Sequence, residues 1–161
     1  VEGDRLVVSL GPGEVERVIG AVIVPVVEKQ RARARITASI DHMKQIFSAC
    51  MQYRKGHDEK WPPELQALSG EYVPPAVLKS QRQDVSGHYA YLRPPSEVTK
   101  SEQQSRLVVI YEAHDSWPEA GVNVGFVDGH VELVTDEKSF RDYLSRTKKA
   151  YSQMRRKDVQ N

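Results

Sequence analysis

The segment Gly121-Val122-Asn123-Val124-Gly125-Phe126-Val127-Asp128-Gly129-His130-Val131-Glu132-Leu133-Val134 predicts a tight β-hairpin. Asp128-Gly129 is typical of a two-residue turn in which both central residues take positive φ. With that turn at the tip, Phe126 pairs with Val131 and Val124 pairs with Leu133. One face then carries Val122, Val124, Phe126, Val131 and Leu133, and the mixed face carries Asn123, Gly125, Val127, His130, Glu132 and Val134.

Length and composition favour one ordinary globular domain. The chain has 161 residues, of which 39% are hydrophobic and 28% charged. Its formal net charge of +1 provides no overall attraction to nucleic acid or anionic lipid, and we predict no nucleic-acid partner. Cys50 is the single cysteine, which excludes an intrachain disulfide and a zinc site built from several thiolates.

Apolar residues at three- and four-residue spacing predict one long helix from about Glu14 to about Lys55. They are Val15, Val18, Ile19, Val22, Ile23, Val26, Val27, Ile36, Ile40, Met43, Ile46, Phe47, Cys50 and Tyr53. Pro25 lies inside this helix and is expected to kink it. The apolar stretch from Val18 to Val27 is shorter than the roughly 20 residues that a bilayer span needs, so we predict no membrane span in this chain.

The remaining elements predict an α+β fold, with the long helix packed on a small antiparallel sheet. Besides the hairpin, β segments are expected at His88–Leu92 and Arg106–Tyr111, and connections without a crossover helix make the sheet antiparallel. Trp61–Leu68 is typical of a short helix with prolines in its first turn. A final helix is expected after a cap at Thr135 or Asp136, with Phe140, Tyr143, Leu144, Tyr151 and Met154 at helical spacing.

Several motifs in this order resemble type IV pilin-like proteins, in particular the pseudopilins of type II secretion. Ala21-Val22-Ile23-Val24-Pro25 is similar to the point where the pilin helix leaves its hydrophobic half. Ile40-Asp41-His42-Met43-Lys44-Gln45-Ile46 and Tyr53 resemble the helix motif of G-type pseudopilins. Trp61–Leu68 resembles the following proline-rich turn, and Tyr89-Ala90-Tyr91 a tyrosine-rich strand. Asn123–Glu132 resembles the C-terminal Asp-Gly signature of a bacterial branch of these proteins.

The sequence departs from that family at two places. The family's histidine before Asp-Gly would fall at Pro118, and the nearest histidine is His114. The family's processing site is also missing, because Gly11-Pro12-Gly13 and a predicted strand at Arg5–Leu10 occupy that region. We therefore interpret residues 1–12 as the end of an upstream element, 13–147 as a pilin-like domain, and 148–161 as a basic tail that frays.

The resemblance implies a non-enzymatic, extracytoplasmic domain at the periplasm or cell surface, with a structural role in assembly. Its expected partners are other pilin-like subunits or the upstream part of the same polypeptide, and membrane association would come through an upstream segment. We predict no catalytic residues and no resident cofactor. The alternative function is a small ligand- or calcium-binding module that uses the loop of residues 112–121.

The calcium hypothesis depends on four carboxylates near that loop, Glu112, Asp115, Glu119 and Asp128, because calcium takes six to eight oxygen ligands. Asp128 is also explained as a turn residue. Hydrolytic chemistry would need a serine or Cys50 beside one of the histidines, which are His42, His57, His88, His114 and His130. Cys50 on the apolar stripe is expected to be an inert core thiol. Trp117, in a loop, is the aromatic residue whose burial is least expected.

Overall fold

The computed structural model describes residues 24–82, 88–100 and 103–160. The predicted strand at Arg5–Leu10, the first part of the long helix and the domain division after residue 12 lie outside these residues. The kink expected at Pro25 depends on the chain before Val24 and lies outside them as well. The chain divides into two units, Val1–Ala34 and Arg35–Asn161, and the sheet and the final helix belong to the second.

Helix α1 spans Val24–Gly56 and confirms the predicted long helix over its described part. Within the second unit its inward positions repeat every three or four residues. The residues at most 1% exposed are Ser39, Met43, Ile46, Ala49 and Cys50. The helix ends where Asp58 and Glu59 take positive φ of 52° and 58°, and the Glu59 amide donates to the Arg54 carbonyl at 3.0 Å. This left-handed turn stops the helix within one residue of its predicted end.

Four strands form one antiparallel sheet in the order β1-β2-β3-β4. They are β1 (Tyr89–Tyr91), β2 (Val108–Glu112), β3 (Val122–Phe126) and β4 (Val131–Val134). Helix α2, Glu137–Gln160, follows the sheet. The predicted α+β class, with a long helix, a small antiparallel sheet and a C-terminal helix, is therefore confirmed. Among the described helices, none combines the length and apolar character required to cross a bilayer.

The connections before β2 contain short 3-10 helices at Leu65–Leu68, Pro75–Leu78, Ser96–Lys100 and Gln104–Arg106. The short helix expected over Trp61–Leu68 is thus limited to its last four residues. Pro62 and Pro63 precede this turn and do not form its start.

The predicted register of the hairpin is wrong by one residue. Val124 pairs with Glu132 and Gly125 with Val131, and the loop has three residues between Phe126 and His130. The Gly129 amide donates to the Phe126 carbonyl at 2.9 Å, and Gly129 alone in this loop takes positive φ, at 90°. A turn followed by a left-handed glycine is the usual three-residue hairpin loop, whereas the prediction assumed two left-handed residues. The shift exchanges the faces of β4.

Both faces of the sheet are covered. The face that was predicted to be mixed is therefore not exposed to solvent. Val122, Val124, Phe126 and Val134 form one apolar cluster, with Phe140, Tyr143 and Leu144 of α2 packed against it. On the opposite face a Cβ at Gly125 would lie 3.4 Å from the Met43 Cε, which places α1 directly over β3. Val127 and Val131 pack with the α1 cluster.

Helix α2 continues past the predicted fraying point at Lys148. Its N-terminus is capped by Asp136, whose Oδ2 accepts the Ser139 backbone amide at 2.8 Å. Hydrogen bonding from the Ser139 side chain, together with this backbone hydrogen bond, lowers the pKa of Asp136. In its second half, Thr147 Oγ1 accepts the Val108 amide at 2.9 Å and the Tyr151 hydroxyl donates to the Val108 carbonyl at 2.9 Å. These contacts hold the helix where β2 has a register shift between Val108 and Ile110.

Replacing Ile46 with Ala tests the packing of α1 on the sheet. Ile46 is 1% exposed, so the truncation leaves a cavity and is expected to cost about 2–5 kcal/mol in the free energy of unfolding. Chemical denaturation measures it. The neighbouring, exposed Gln45 is the matched control, because Gln45→Ala should change stability by less than about 0.5 kcal/mol. Equal stability of the two variants would contradict this packing.

Candidate functional site

The polar centre of the molecule is the side chain of Glu112, which is fully buried at the end of β2. Its Oε1 accepts hydrogen bonds from the Ser39 hydroxyl of α1 and from Asn123 Nδ2 at 3.2 Å. Its Oε2 accepts a hydrogen bond from the backbone N–H of Asn123 at 3.0 Å. Asn123 also donates to the Ile36 carbonyl of α1 at 3.1 Å. One carboxylate therefore ties the long helix to two strands.

The charge of Glu112 is balanced by Arg82, whose side chain is 3% exposed. Arg82 Nη1 lies 3.1 Å from Glu112 Oε2 and also donates to the Gly121 carbonyl at 2.8 Å. An ion pair at this depth is tolerated only when further hydrogen bonds satisfy both ions, and the neighbours of Glu112 supply them. The pair holds Arg82 itself and Gly121, just before β3, at the same point.

His114 and Ser39 both approach Glu112, but not in the order of a nucleophilic triad. His114 Nε2 is 3.8 Å from Glu112 Oε2, and the Ser39 hydroxyl is bonded to the other carboxylate oxygen. In a triad the imidazole contacts the hydroxyl and the carboxylate orients the imidazole. Here the Glu112 carboxylate lies between the Ser39 hydroxyl and the His114 imidazole. The Ser39 hydroxyl also lies 3.0 Å from the Tyr89 hydroxyl, and burial raises the pKa of Tyr89 to about 12.

The four carboxylates of the calcium hypothesis lie in different surroundings. Glu112 is buried against Arg82, Asp115 and Glu119 are exposed on the following loop, and Asp128 Oδ1 lies 2.6 Å from His130 Nδ1 at the hairpin tip. Over residues 24–82, 88–100 and 103–160, no three His, Cys, Asp or Glu side chains come together as a metal-binding group.

The loop of residues 112–121 instead borders a groove against the first turns of α2. The groove has a volume of about 390 Å³, and its walls include Tyr111, His114, Trp117, Phe140, Arg141 and Leu144. Trp117 is half-buried, with its ring centroid 5.6 Å from that of Phe140. At the rim, Arg141 is paired with Glu137 at 2.5 Å. The groove is thus aromatic inside and charged at its edge.

The other histidines lie apart from Glu112 and contact separate partners. His57 stacks on Tyr53 at 3.7 Å between centroids, and His42 Nδ1 lies 3.2 Å from the Lys79 carbonyl. His88 is exposed at an isolated bridge with Lys79, and His130 stacks on Phe126 at 4.3 Å. Ser39 and His114, which both lie near the Glu112 carboxylate, were not predicted to meet at one site.

Cys50 is buried in the α1 cluster, as expected for a core thiol. Burial raises the pKa of its thiol to about 12, so the reactive thiolate is scarce at neutral pH. Trp61 is 1% exposed and Tyr89 is 7% exposed, which agrees with a packing role for these aromatic residues. Arg54 lies over the Trp61 ring at 5.0 Å.

Sequence reasoning missed most of the Glu112 network. Ser39, Arg82 and Asn123 carry no motif, and they are separated by long stretches of chain. One signal was present: Glu112 lies two residues beyond Ile110 in an apolar strand, so both side chains point to the same face. A carboxylate on a buried face requires a partner, but the sequence does not reveal which cation supplies it.

Replacing Glu112 with Gln tests the buried pair. The change leaves the Arg82 guanidinium facing a neutral group at a buried position, and we expect a loss of about 3–5 kcal/mol in unfolding free energy. Glu119→Gln, at an exposed position of the same loop, is the control and should be nearly neutral. The double variant Glu112→Gln/Arg82→Met should lose less than the sum of the two single losses. Additive losses would show that the two side chains are not coupled.

The reactivity of Cys50 tests its burial. At pH 8 a thiol with a pKa of about 12 has little thiolate, so a disulfide reagent should modify the native chain at least about 100-fold more slowly than the chain in denaturant. Raising the pH towards 12 should increase the native rate. Ser48 is exposed on the same helix, and Ser48→Cys in a Cys50→Ser background should react rapidly. A native rate equal to that control would contradict burial of the thiol.

Comparison of the chain with protein-family models, with curated proteins and with solved structures found no match. The likeness to pilin-like proteins therefore depends on the motifs in the sequence.

Proposed function

We propose that this chain is a non-enzymatic, extracytoplasmic domain of the pilin or pseudopilin type, with a structural role in assembly. In this proposal α1 serves as the spine, and the sheet with its loops provides surfaces for contact. The partners are other pilin-like subunits or the upstream part of the same polypeptide. The domain would act at the periplasm or the cell surface, as part of a larger envelope or surface protein.

The observation that carries the proposal is the exposure of the first described turns of α1. Residues 26–34 are all exposed, although this stretch includes Val26 at 55% and Val27 at 40%. Adjacent exposed valines on a long helix leave apolar surface in contact with water. Covering these side chains would remove that surface from solvent, which is favourable. A helix of another protein or of another part of the polypeptide would provide that cover.

The rest of the fold supports the role of α1 as a spine. Further along the helix, Ser39, Met43 and Ile46 are buried against the sheet. The hydrogen bonds from Ser39 to Glu112 and from Asn123 to the Ile36 carbonyl fix the rotation of the helix over β2 and β3. This part of the helix is thereby held in one orientation on the sheet.

The groove at Trp117 supports a second candidate function, the capture of a small ligand. Its volume of about 390 Å³ falls within the range of ligand pockets, and its aromatic walls meet the paired Glu137 and Arg141 at the rim. A ligand with an apolar body and a polar end would suit this lining. The groove is formed by the loop of residues 112–121 and by α2.

The double substitution Val26→Asp/Val27→Asp tests the assembly proposal. Both side chains are exposed, so thermal stability should change little, while any self-association or binding to a partner through this part of the helix should weaken by at least tenfold because charge replaces the apolar contact. Sedimentation velocity over a range of protein concentrations measures the association.

The control is Ala32→Asp, which adds a carboxylate at an exposed position on the opposite side of the same helix from Val26 and Val27. This control should associate as the original chain does. If the valine variant also sediments like the original chain at every concentration, in the presence and in the absence of pilin-like subunits, the proposed role of this surface is wrong.

A further inference from the structure

The charges of the second unit are strongly segregated along the chain. Between Arg106 and Lys138 there is no lysine or arginine, whereas Lys138 to Lys157 contains eight. The acidic residues of the first segment are Glu112, Asp115, Glu119, Asp128, Glu132, Asp136 and Glu137. Among residues 138–157 only Asp142 is acidic. The formal net charge of +1 is therefore a sum that includes an acidic segment and a basic segment of opposite sign.

The acidic surface lies at the N-terminal end of α2. We define the acidic patch as Asp115, Glu119 and Asp136, which are all exposed. Two observations place these three residues in one region. Asp115 and Glu137 border the same groove, and a Cβ at Gly121 would lie 2.9 Å from the Thr135 Cα. The loop that carries Asp115 and Glu119 therefore adjoins the residue that caps α2.

The basic surface lies on the second half of the same helix. We define the basic face as Arg146, Lys148, Lys149 and Arg156, again all exposed. In the part of the chain that the structure describes, none of these four forms an ion pair with a carboxylate. The apolar side of this part of α2 is already occupied, because Tyr151 and Met154 pack with the core. The basic face thus offers charge and no apolar contact.

The two surfaces are too far apart to neutralise each other within one molecule. Asp136 and Lys149 are thirteen positions apart, which is about 20 Å along a helix at about 1.5 Å per residue. The Debye length at physiological ionic strength is about 8 Å, so their attraction through solvent is largely screened. A second molecule is able to bring an acidic patch into direct contact with a basic face.

We propose that copies of this chain associate head to tail, the acidic patch of one against the basic face of α2 in the next. The occupant is a second copy because each surface finds its complement on the same chain, and because the net charge near zero opposes association very little. When the acidic patch of one copy binds the basic face of another, the pair still has one free basic face and one free acidic patch. Further copies can bind there, so the assembly extends into a ring or an open filament instead of closing as a dimer. This inference rests on the proposed assembly function and specifies its interface.

The test is a charge exchange followed by sedimentation velocity of the full 161-residue chain. One variant is Lys148→Glu/Lys149→Glu, and the other is Asp115→Lys/Glu119→Lys. All four positions are exposed, and thermal melts verify that each variant folds. Asp136 is left unchanged because it caps α2.

The original chain should associate at about 20 mM salt and become at least tenfold weaker in association at about 500 mM, where screening is strong. Each variant alone should remain monomeric at low salt, because like charges then meet at the contact. An equimolar mixture should associate again, because each variant supplies the charges that the other has lost. Recovery in the mixture is the result that a general loss of stability or solubility would not produce.

Self-association of either variant at the original strength, or a mixture that stays monomeric, would overturn the inference. So would a basic face that binds vesicles of anionic phospholipid while the chain itself stays monomeric at low salt. The Val26→Asp/Val27→Asp experiment separates these failures from failure of the proposed function. If association depends on the valines and not on the exchanged charges, the assembly role stands and this interface is wrong.

Discussion

The buried carboxylate of Glu112 is the constraint on which the rest of the structure depends. It accepts hydrogen bonds from α1 and from β3 and is balanced by Arg82 at 3.1 Å. A buried charge is stable only when its partners are in place, so this group cannot be satisfied unless helix, strand and the segment around Arg82 meet at one point. Apolar packing of α1 on the sheet would allow several rotations of the helix. The polar network selects one of them.

Both faces of this small sheet are buried. α1 covers the face that carries Glu112 and Asn123, while α2 covers Val122, Val124 and Phe126 on the other. The register shift in β2 places Val108 where Thr147 and Tyr151 of α2 satisfy its backbone groups. The second half of α2 is therefore held to the sheet, and its exposed cations have a fixed position on the surface.

Sequence patterns predicted the elements well and their pairing less well. The end of α1, the antiparallel sheet and the start of α2 follow from local signals such as helical spacing and a capping aspartate. The hairpin register was wrong because Asp-Gly is compatible with two loop lengths, and the choice depends on packing. Val131 lies against α1 and Val134 against the α2 cluster, an arrangement that requires the three-residue loop. Helix α2 also extends past Lys148, and Tyr151 anchors this part of it in the core.

The sequence by itself determined the α+β class, the long helix, the single core thiol and the segregation of acidic from basic residues, because each depends on composition or on spacing within one segment. Tertiary structure alone decided which charges are paired. Ser39, Arg82, Glu112 and Asn123 are distant in sequence, and they meet only because the sheet brings β2 and β3 under α1. The same holds for the groove at Trp117, which forms where a loop and a helix from different parts of the chain come together. Long-range contacts of this kind are not predicted by local sequence patterns, because their energy depends on distances and angles that only the complete fold provides.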